Sequence, residues 1–503
     1  MSKRIILAIV LSWVVLFGWS LFAPKSQVVV NKEFKDKKTT QVEQAISVDI
    51  QPAAKDFTRS TPIKLDIDKY GIDFIEQEAA IKEFIFKDYQ ASVFSLMYGL
   101  FINDPSLVFK KHKEAGDSIS FIHSDKDKKI IKEFIFDKYS YSSKLRIIVK
   151  NTSLGSLSLN IPVIIGAFDP NLSQTNYHGV TIAQDGKVIH PNPGKNAKFA
   201  KPKFLSLSDR YFCIISQPQF DDSEAFINRI NPKLSELGFM LTLKDIPSQA
   251  EIVKEIDLYS GPQDLRLISK ANENWASVIN YGSFDFISRI ILKTLEFLYN
   301  ILHNLGLAIV ILSIIIYLIL YPLTLKQMRS VKAMQALQPK MEELRKQYKD
   351  NPQKLNKEVL ELYKIHKVNP LGGCLPLILQ IPIFLALYQV LSRSVALKGA
   401  SFLWIKDLSE PDRLFTLKHS LPFLGSDINI LPIAVAVVMF LQQKISMTSS
   451  AGTNAEQQKI MSILFPLIFG ALFYRVPSGL VLYWLVNSTL MFLYQLKINR
   501  KNG

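Results

Sequence analysis

Long apolar runs recur along this 503-residue chain and predict helices that cross a membrane. Residues 5–23 are uncharged and follow Lys3 and Arg4. As a helix they would span roughly 28 Å, close to the ~30 Å hydrocarbon core of a bilayer. Similar runs follow at 305–325, 371–391, 428–445, 460–475 and 478–496. The pattern therefore predicts an α-helical polytopic membrane protein with six spans.

The N-terminal run, within residues 1–23, is either a signal anchor or a cleaved signal peptide. It is long for the apolar part of a signal peptide, and no A-x-A cleavage site follows it. We therefore favour an uncleaved signal-anchor span whose N-terminus lies in the cytoplasm. Residues 24–55 are rich in Lys, Gln and Thr without periodicity, which predicts a flexible, solvated tether.

Alternating apolar and polar positions predict a large β-rich domain over residues 56–275. The segment KLRIIVKN at 144–151 alternates in this way. VTIAQDGKVIH at 180–190 predicts a hairpin, because Asp185-Gly186 supplies the positive φ angles of a tight turn.

Three further segments predict local structure. IKEFIF occurs at 81–86 and at 131–136; we favour two edge-compatible strands of similar composition over a structural repeat. Residues 222–240 fit a helix interrupted at Pro232. Residues 282–300 predict an amphipathic helix lying on the bilayer surface, although an early start to the next span is the alternative. Its shared apolar face is expected to hold Phe286, Ile290, Leu295 and Leu298.

The segment after the second span predicts a cytoplasmic helical hairpin at 326–367. Apolar positions recur at helical spacing on both sides of a break at Asp350-Asn351-Pro352. The apolar seam either only holds the two helices together or also offers a soft methionine surface to varied apolar clients. The methionines of that surface would be Met328, Met334 and Met341.

Charge sets the orientation that the sequence predicts. The net charge is +16, but the basic residues concentrate beside the apolar runs, so lipid contact is favoured over DNA binding. Residues 326–370 hold eleven Lys/Arg against five Asp/Glu, whereas residues 395–427 hold four of each. The positive-inside rule places the first loop in the cytoplasm and the second outside. Both termini are then cytoplasmic and the β domain is periplasmic, with anionic lipid and ribosomal RNA as secondary partners.

Chemical motifs for catalysis are missing from the sequence. Cys213 and Cys374 form no CxxC motif and no Cys/His cluster, so neither a disulfide framework nor a metal site is predicted. No P-loop is present, and no cofactor is expected. A membrane-anchored enzyme whose β domain acts on envelope glycans is an alternative, and it would need paired carboxylates in a cleft.

The spans carry only mild polarity. None has an Asp, Glu, Lys or Arg near its middle, which argues against an ion-coupled solute transporter. Single hydroxyl or amide groups such as Ser313, Tyr317, Gln380 and Asn487 are commonly interhelical glue. Several such groups, spread over three spans, would instead line a shared groove that water can enter.

Six sequence motifs in the last third to half of the chain resemble those of a known family. They are YPLT at 321–324, LQPKMEELR at 337–345, VNPLGGCLPLILQIPIFLALYQVL at 368–391, FLWIKDLSEPD at 402–412, QQKIM at 457–461 and VPSGLVLYWLVNS at 476–488. Together they resemble the core of the YidC/Oxa1/Alb3 membrane protein insertases. The upstream segments DRYFCIISQP at 209–218 and LYSGPQDL at 258–265 resemble the periplasmic domain of Gram-negative members.

The resemblance implies a periplasmic all-β supersandwich and, over 301–496, a five-helix insertase core, followed by a short basic tail at 497–503. It implies an insertase without covalent chemistry, whose amphiphilic groove opens to cytoplasm and lipid. Nascent membrane proteins would be its clients, and the Sec translocon, ribosome and signal recognition particle pathway its partners.

One position departs from the family pattern. The family usually carries a groove arginine five residues before the proline of YPLT, but this chain has Tyr317 there. Attraction of acidic client segments by a fixed charge is therefore not expected. The predicted groove residues are Ser313, Tyr317, Gln380 and Tyr483.

Overall fold

The computed structural model describes residues 62–169, 179–221, 223–349, 351–366, 368, 375–421, 425–447 and 455–502. The predicted anchor at 1–23 and tether at 24–55 lie outside these residues. The chain divides into two compact units, with the boundary between Ser283 and Phe284.

The first unit is built from antiparallel β-strands. The strands are β1 Pro62–Asp66, β2 Tyr70–Ile75, β3 Ala80–Phe86, β4 Ser92–Gly99, β5 Phe101–Ile102, β6 Lys110–Ala115, β7 Ser118–Ser124, β8 Lys128–Phe136, β9 Ser142–Asn151, β10 Leu157–Phe168, β11 Gly179–Gln184, β12 Lys187–Ile189, β13 Ala197–Ala200, β14 Phe204–Ser208, β15 Phe212–Pro218, β16 Ser223–Asn231, β17 Leu234–Ile246 and β18 Glu251–Pro262. One short helix, α1 Leu265–Ala271, follows them.

Three sheets organise these strands. Their orders are β1-β2-β3-β4, β13-β16-β17-β10-β5 and β12-β11-β14-β15-β18-β9-β8-β7-β6. Period-2 alternation explains the packing, since Leu145, Ile147 and Val149 of β9 all point into the core. Aromatic rings fill that core, with Phe74 lying 5.2 Å from Phe134 between ring centroids. The prediction of a β-rich domain is confirmed.

The predicted hairpin at 180–190 is also confirmed. β11 pairs with β12 in antiparallel register, Gln184 opposite Lys187. Asp185 has φ +50° and Gly186 has φ +70°, the left-handed conformation that a two-residue turn of this type requires.

The helix predicted at 222–240 is wrong. The described part of this segment forms β16 and β17, which pair with each other around Pro232. β17 also pairs with the distant β10, placing Phe239 opposite Val163. This pairing, distant in sequence, decides the conformation over the local helical pattern.

The repeated string IKEFIF forms two strands, β3 and β8, but neither lies at a sheet edge. In β8 the alternation is unbroken, so Lys132 shares the buried face with Phe134 and Phe136. In β3 a register shift beside Lys82 turns that lysine outward, although the six residues are the same.

The second unit is helical. Its helices are α2 Asp285–Leu302, α3 Leu305–Ala336, α4 Gln338–Gln347, α5 Pro352–Ile365, α6 Leu375–Arg393, α7 Ile430–Met447, α8 Ala455–Phe473 and α9 Ser478–Asn502. A two-stranded ribbon, β19 Phe415–Leu421 with β20 Gly425–Ile428, lies between α6 and α7.

The predicted shared face of the 282–300 helix is wrong in part. Leu295 and Leu298 are buried, together with Ile291, on the side of α2 that packs against α3 and α6. Phe286 and Ile290 are exposed on the other side, because their positions on the helix lie roughly 80° or more around the axis from those of the buried residues. The helix therefore has two apolar faces.

Helices occur at each predicted span that the structure describes, but their lengths differ. Among the described residues, Leu305–Ser330 and Ser478–Ile498 are long and apolar enough to cross a membrane. Two shorter apolar helices cover Ile430–Ile445 and Ser462–Phe473. Six spans therefore remain a prediction.

Candidate functional site

The candidate site lies along α3 and α9, which pack side by side and run in the same direction. A Cβ added to Gly479 would lie 3.2 Å from Ile309, and further along the ring of Tyr321 lies 5.3 Å from that of Tyr494. Positions near the start of one helix therefore neighbour positions near the start of the other.

Ser313 is fully buried on α3. Its hydroxyl donates a 2.6 Å hydrogen bond to the carbonyl oxygen of Ile309 on its own helix. Such back-bonding satisfies a serine inside an apolar helix without a partner from another span.

Gln380 and Tyr483 join α6 to α9. The Gln380 amide Nε2 donates to the Tyr483 hydroxyl at 2.5 Å, across 103 residues of sequence. Tyr483 is fully buried, and its carbonyl accepts a 3.2 Å hydrogen bond from Asn487 Nδ2. The structure thus brings together two of the four predicted groove residues.

Tyr317 lies one helical turn after Ser313 and is half-buried. Its ring lies 6.2 Å from that of Tyr321, which in turn contacts Tyr494. Within the described part of the chain, no hydrogen bond links Ser313 or Tyr317 to the Gln380–Tyr483 pair.

Burial changes along these helices. Ser313 and Tyr483, near the first turns of α3 and α9, are fully buried. Tyr317, Asn487 and Tyr494, further along, are half-exposed. The row of uncharged polar groups is therefore closed at one end and more accessible toward the other.

Sequence reasoning missed several neighbours of this row. Tyr321 and Tyr494 extend it, and the four-residue spacing from Tyr317 to Tyr321 was the signal that could have found the first. Gln442 of α7 donates a 2.8 Å hydrogen bond to the Ser488 carbonyl, and only its amide inside an apolar run marks it in the sequence. An aromatic cluster of Phe384, Phe469, Phe473 and Trp484 also links α6, α8 and α9.

The predicted hairpin segment contains two helices after the long α3. Asn351 caps α5, its side chain accepting a 3.0 Å hydrogen bond from the amide of Lys354. Met341 faces α5, where its sulfur accepts from the Tyr363 hydroxyl at 3.4 Å. Met328 is half-buried, and the side chain of Met334 lies outside the described part of the structure.

The chemistry open to this site is hydrogen bonding without charge. Its members are neutral hydroxyls, amides and aromatic rings on otherwise apolar helices. Among the residues that the structure describes, no group of three or more His, Cys, Asp or Glu could hold a metal ion. Such groups can donate hydrogen bonds to, and accept them from, a polar chain segment.

Comparison with known families covers most of the chain. Residues 297–503 match the family model described as 60Kd inner membrane protein. Residues 109–294 match the model described as YidC periplasmic domain.

Individual proteins give the same pattern. The membrane protein insertase YidC of Syntrophobacter fumaroxidans is 35% identical, over 74% of this chain and 68% of that protein. The membrane protein insertase YidC of Geotalea daltonii is 30% identical over 99% of both chains. A crystal structure of an active YidC insertase with its first transmembrane domain resolved is 20% identical, covering 87% of this chain and 92% of that one with a TM-score of 0.41.

Proposed function

The chain belongs to the YidC family of membrane protein insertases, and from that premise we propose that it inserts nascent membrane proteins through a half-polar groove along α3, α6 and α9. It is an inner-membrane protein with a periplasmic β domain. No covalent step is required, because the task is to move a polar segment across an apolar barrier.

The observation that supports the groove is the row of neutral polar groups along α3 and α9, which changes from buried to half-exposed. Ser313 and Tyr483 close it at one end, and Tyr317 with Asn487 are half-exposed further along. A client's polar backbone in hydrocarbon costs several kcal/mol for each unpaired group. Hydrogen-bonding side chains on the groove wall would lower that cost for the polar segment, while the client's apolar segment moves directly into lipid.

We propose six spans for this arrangement. The anchor at 1–23 supplies the first, and α3, α6, α7, α8 and α9 form a five-helix core within 301–496. The charge bias of residues 326–370 supports a cytoplasmic hairpin, with both termini on the same side and the β domain outside. The β domain is proposed to be the supersandwich of the family.

The helix α2 is proposed to lie along the bilayer surface. Its inner face packs on α3 and α6, and its outer face exposes Phe286, Ile290 and Phe297. Apolar side chains of this kind stabilise a helix at the headgroup boundary.

We propose that the hairpin at 326–367 offers clients a methionine surface in addition to holding its own helices together. Met341 contacts the Tyr363 hydroxyl, so among the described methionines of that surface the half-buried Met328 is the one left to contact clients. Flexible thioethers suit varied apolar segments.

Further partners are proposed from the same premise. They are the Sec translocon, the ribosome and the signal recognition particle pathway. Anionic lipids would contact the basic residues of 326–370 and of the tail at 497–503.

Crosslinking to a stalled two-span client tests the groove. A photoreactive residue at 317 or 380 should capture the client strongly, and one at the buried position 313 should capture it weakly. The matched control is position 139 in the β domain, where Tyr139 is 81% exposed. Capture at 139 but not at 317 or 380 would sink the proposal, as would unchanged client integration after depletion of this chain.

A further inference from the structure

The segment Phe402–Asp412, here called the latch segment, lies between α6 and α7 and contacts the ends of several core helices. Ile405, Leu408, Ser409 and Asp412 within it are each at most 3% exposed. A loop that is buried to this degree must satisfy its backbone groups with specific partners.

Asp412 connects the latch segment to the start of α7. Its Oδ2 accepts hydrogen bonds from the amides of Ile430 at 2.8 Å and Leu431 at 3.0 Å. The indole Nε1 of Trp404 donates to the same oxygen at 3.3 Å. The carboxylate therefore acts as an N-cap supplied from a distant part of the chain, placed where the helix dipole favours negative charge.

Backbone carbonyls of the latch segment hold the start of α9. The Ser478 amide donates to the Glu410 carbonyl at 2.8 Å, and the Gly479 amide donates to the Leu408 carbonyl at 2.9 Å. The Ser478 hydroxyl donates to the Asp407 carbonyl at 3.0 Å. First-turn amides that have no partner inside their own helix are thereby satisfied.

Phe402 holds the start of α3. A Cβ on Gly306 would lie 2.1 Å from the Phe402 ring, so the ring rests directly on the helix backbone. A side chain at 306 cannot fit without moving this ring.

The end of α8 joins the same cluster. Asn429 Nδ2 donates to the Tyr474 carbonyl at 2.7 Å, and the Tyr474 hydroxyl donates to the Asp427 carbonyl at 2.6 Å. The Arg413 amide, directly after the latch segment, donates to Asn429 Oδ1 at 2.9 Å. The ends of α3, α7, α8 and α9 therefore meet at this segment.

We propose that the latch segment closes the groove on the side opposite the cytoplasm, with Asp412 as its positioning residue. The inference rests on the groove and orientation proposed above. The fully buried Ser313 and Tyr483 lie one to two helical turns beyond the helix starts that the segment holds. Holding those starts together keeps the outer end dry, while the half-exposed region near Tyr317 admits a polar client segment.

The test measures access to Ser313 from the outer side. In a full-length chain with Cys213→Ser and Cys374→Ser, a Ser313→Cys reporter is exposed to a membrane-impermeant maleimide in right-side-out vesicles. Asp412→Ala should raise the labelling rate about tenfold, since loss of an N-cap shifts an equilibrium by about that factor. Asp412→Asn, which keeps one acceptor oxygen, should give a smaller rise.

Glu410→Gln is the matched control. It makes the same charge change in the same segment, but the Glu410 side chain is 40% exposed and its carbonyl, not its carboxylate, holds α9. The Ser313→Cys reporter should be labelled at the same rate with Glu410→Gln as without it. A rise as large as that of Asp412→Ala would assign the effect to loop charge and overturn the proposal.

Gly306→Ala provides a second route that leaves Asp412 intact. The added methyl should displace Phe402 and raise outer labelling, and Phe402→Leu in the same chain should bring labelling back down. This pair decides the question if Asp412→Ala does not accumulate in the membrane.

Failure of the latch and failure of the groove give different results. A Tyr317→Cys reporter labelled from the cytoplasmic side in inside-out vesicles measures the groove alone. Cytoplasmic labelling at 317 together with unchanged outer labelling at 313 in Asp412→Ala and Gly306→Ala would overturn the latch and leave the groove standing. No cytoplasmic labelling at 317 would overturn the groove, and the latch with it.

Discussion

The β unit and the helical unit place their polar and apolar groups in opposite ways. The β unit buries large aromatic side chains together with ionisable residues such as Lys132 and Glu236, each given specific partners. The helical unit exposes large apolar side chains, among them Leu318, Ile319, Leu467 and Leu472, and buries mainly serine and tyrosine hydroxyls within its helices. The two units are therefore adapted to different solvents, water and lipid.

Different forces hold the two units together as a result. Apolar burial stabilises the β unit because water surrounds it. Lipid tails are as apolar as leucine, so close packing and interhelical hydrogen bonds must hold the helices. Gly470 illustrates this, since a Cβ there would lie 3.2 Å from the Ala436 Cβ of α7. The Gln380–Tyr483 hydrogen bond is the polar counterpart.

The largest expected effect concerns the buried lysine of the β unit. Lys132 is fully buried, and its ammonium donates to the carbonyls of Ala79 and Leu100, two residues in left-handed conformations. Lys132→Ala removes both hydrogen bonds and leaves a cavity, so it should lower the free energy of unfolding by about 3–5 kcal/mol. The urea midpoint for labelling of the buried Cys213, in a Cys374→Ser chain, measures this.

Two variants sharpen that prediction. Lys129→Ala on the same strand, at a half-exposed lysine, should leave the urea midpoint nearly unchanged. Lys132→Met restores the volume without the donors and should lose less than Lys132→Ala. Equal losses for the two Lys132 variants would mean that the cavity contributes little and that the lost hydrogen bonds to the two carbonyls account for the effect.

The pH dependence of the β unit follows from the same lysine. Burial lowers the pKa of Lys132 from 10.5 to about 7, opposed by the nearby charge of Glu78. Between those values the unfolded chain binds the proton and the folded chain releases it, so stability should rise with pH by at most about 1.4 kcal/mol per unit. Below pH 7 both states are protonated and this contribution should be flat.

Urea midpoints of the unaltered chain and of Lys132→Met, measured between pH 6 and 9, check this dependence. The rise above pH 7 should be present in the first and missing in the second. A rise that persists in Lys132→Met would assign it to another group.

The sequence was sufficient to predict those features that depend only on residues adjacent in the chain. The Asp185-Gly186 hairpin needs only a two-residue turn, and its flanking strands follow. IKEFIF shows the limit, because Lys82 and Lys132 occupy the same place in the same six residues, yet one is exposed and the other buried. A register shift in β3 makes the difference, and it depends on pairing with strands outside the hexapeptide.

The candidate site divides in the same way. Mild polarity in apolar runs made Gln380 and Tyr483 candidates, but their hydrogen bond joins residues 103 apart in the sequence and could not be read from spacing. Tyr321 lies one turn from Tyr317 and was within reach of the helical pattern. The satisfaction of Ser313 by its own helix depends on a side-chain rotamer, which the sequence does not specify.

A smaller effect is expected at the groove's hydrogen bond. Tyr483→Phe removes the hydroxyl that accepts from Gln380, which should cost about 1 kcal/mol of stability and reduce client integration about two- to fivefold. Integration of a two-span client in a strain depleted of the unaltered chain measures it. Gln380→Leu combined with Tyr483→Phe should be no worse than Tyr483→Phe alone, and additive losses would show that the two side chains act separately.

The smallest effect is expected at Tyr317, where the comparison between water-facing and lipid-facing surfaces is sharpest. Tyr317→Phe should be mild because several groups share the wetting of the groove, and Tyr317→Arg should be tolerated because a half-polar wall solvates the charge. The control is Leu318→Arg on the next residue, which is 61% exposed on the apolar side and should cost about 2.5–3.5 kcal/mol at mid-membrane. Membrane accumulation and client integration of the two arginine variants provide the measurement. If arginine at 317 is as damaging as arginine at 318, then Tyr317 faces lipid, and the graded row of polar groups only holds neighbouring helices together.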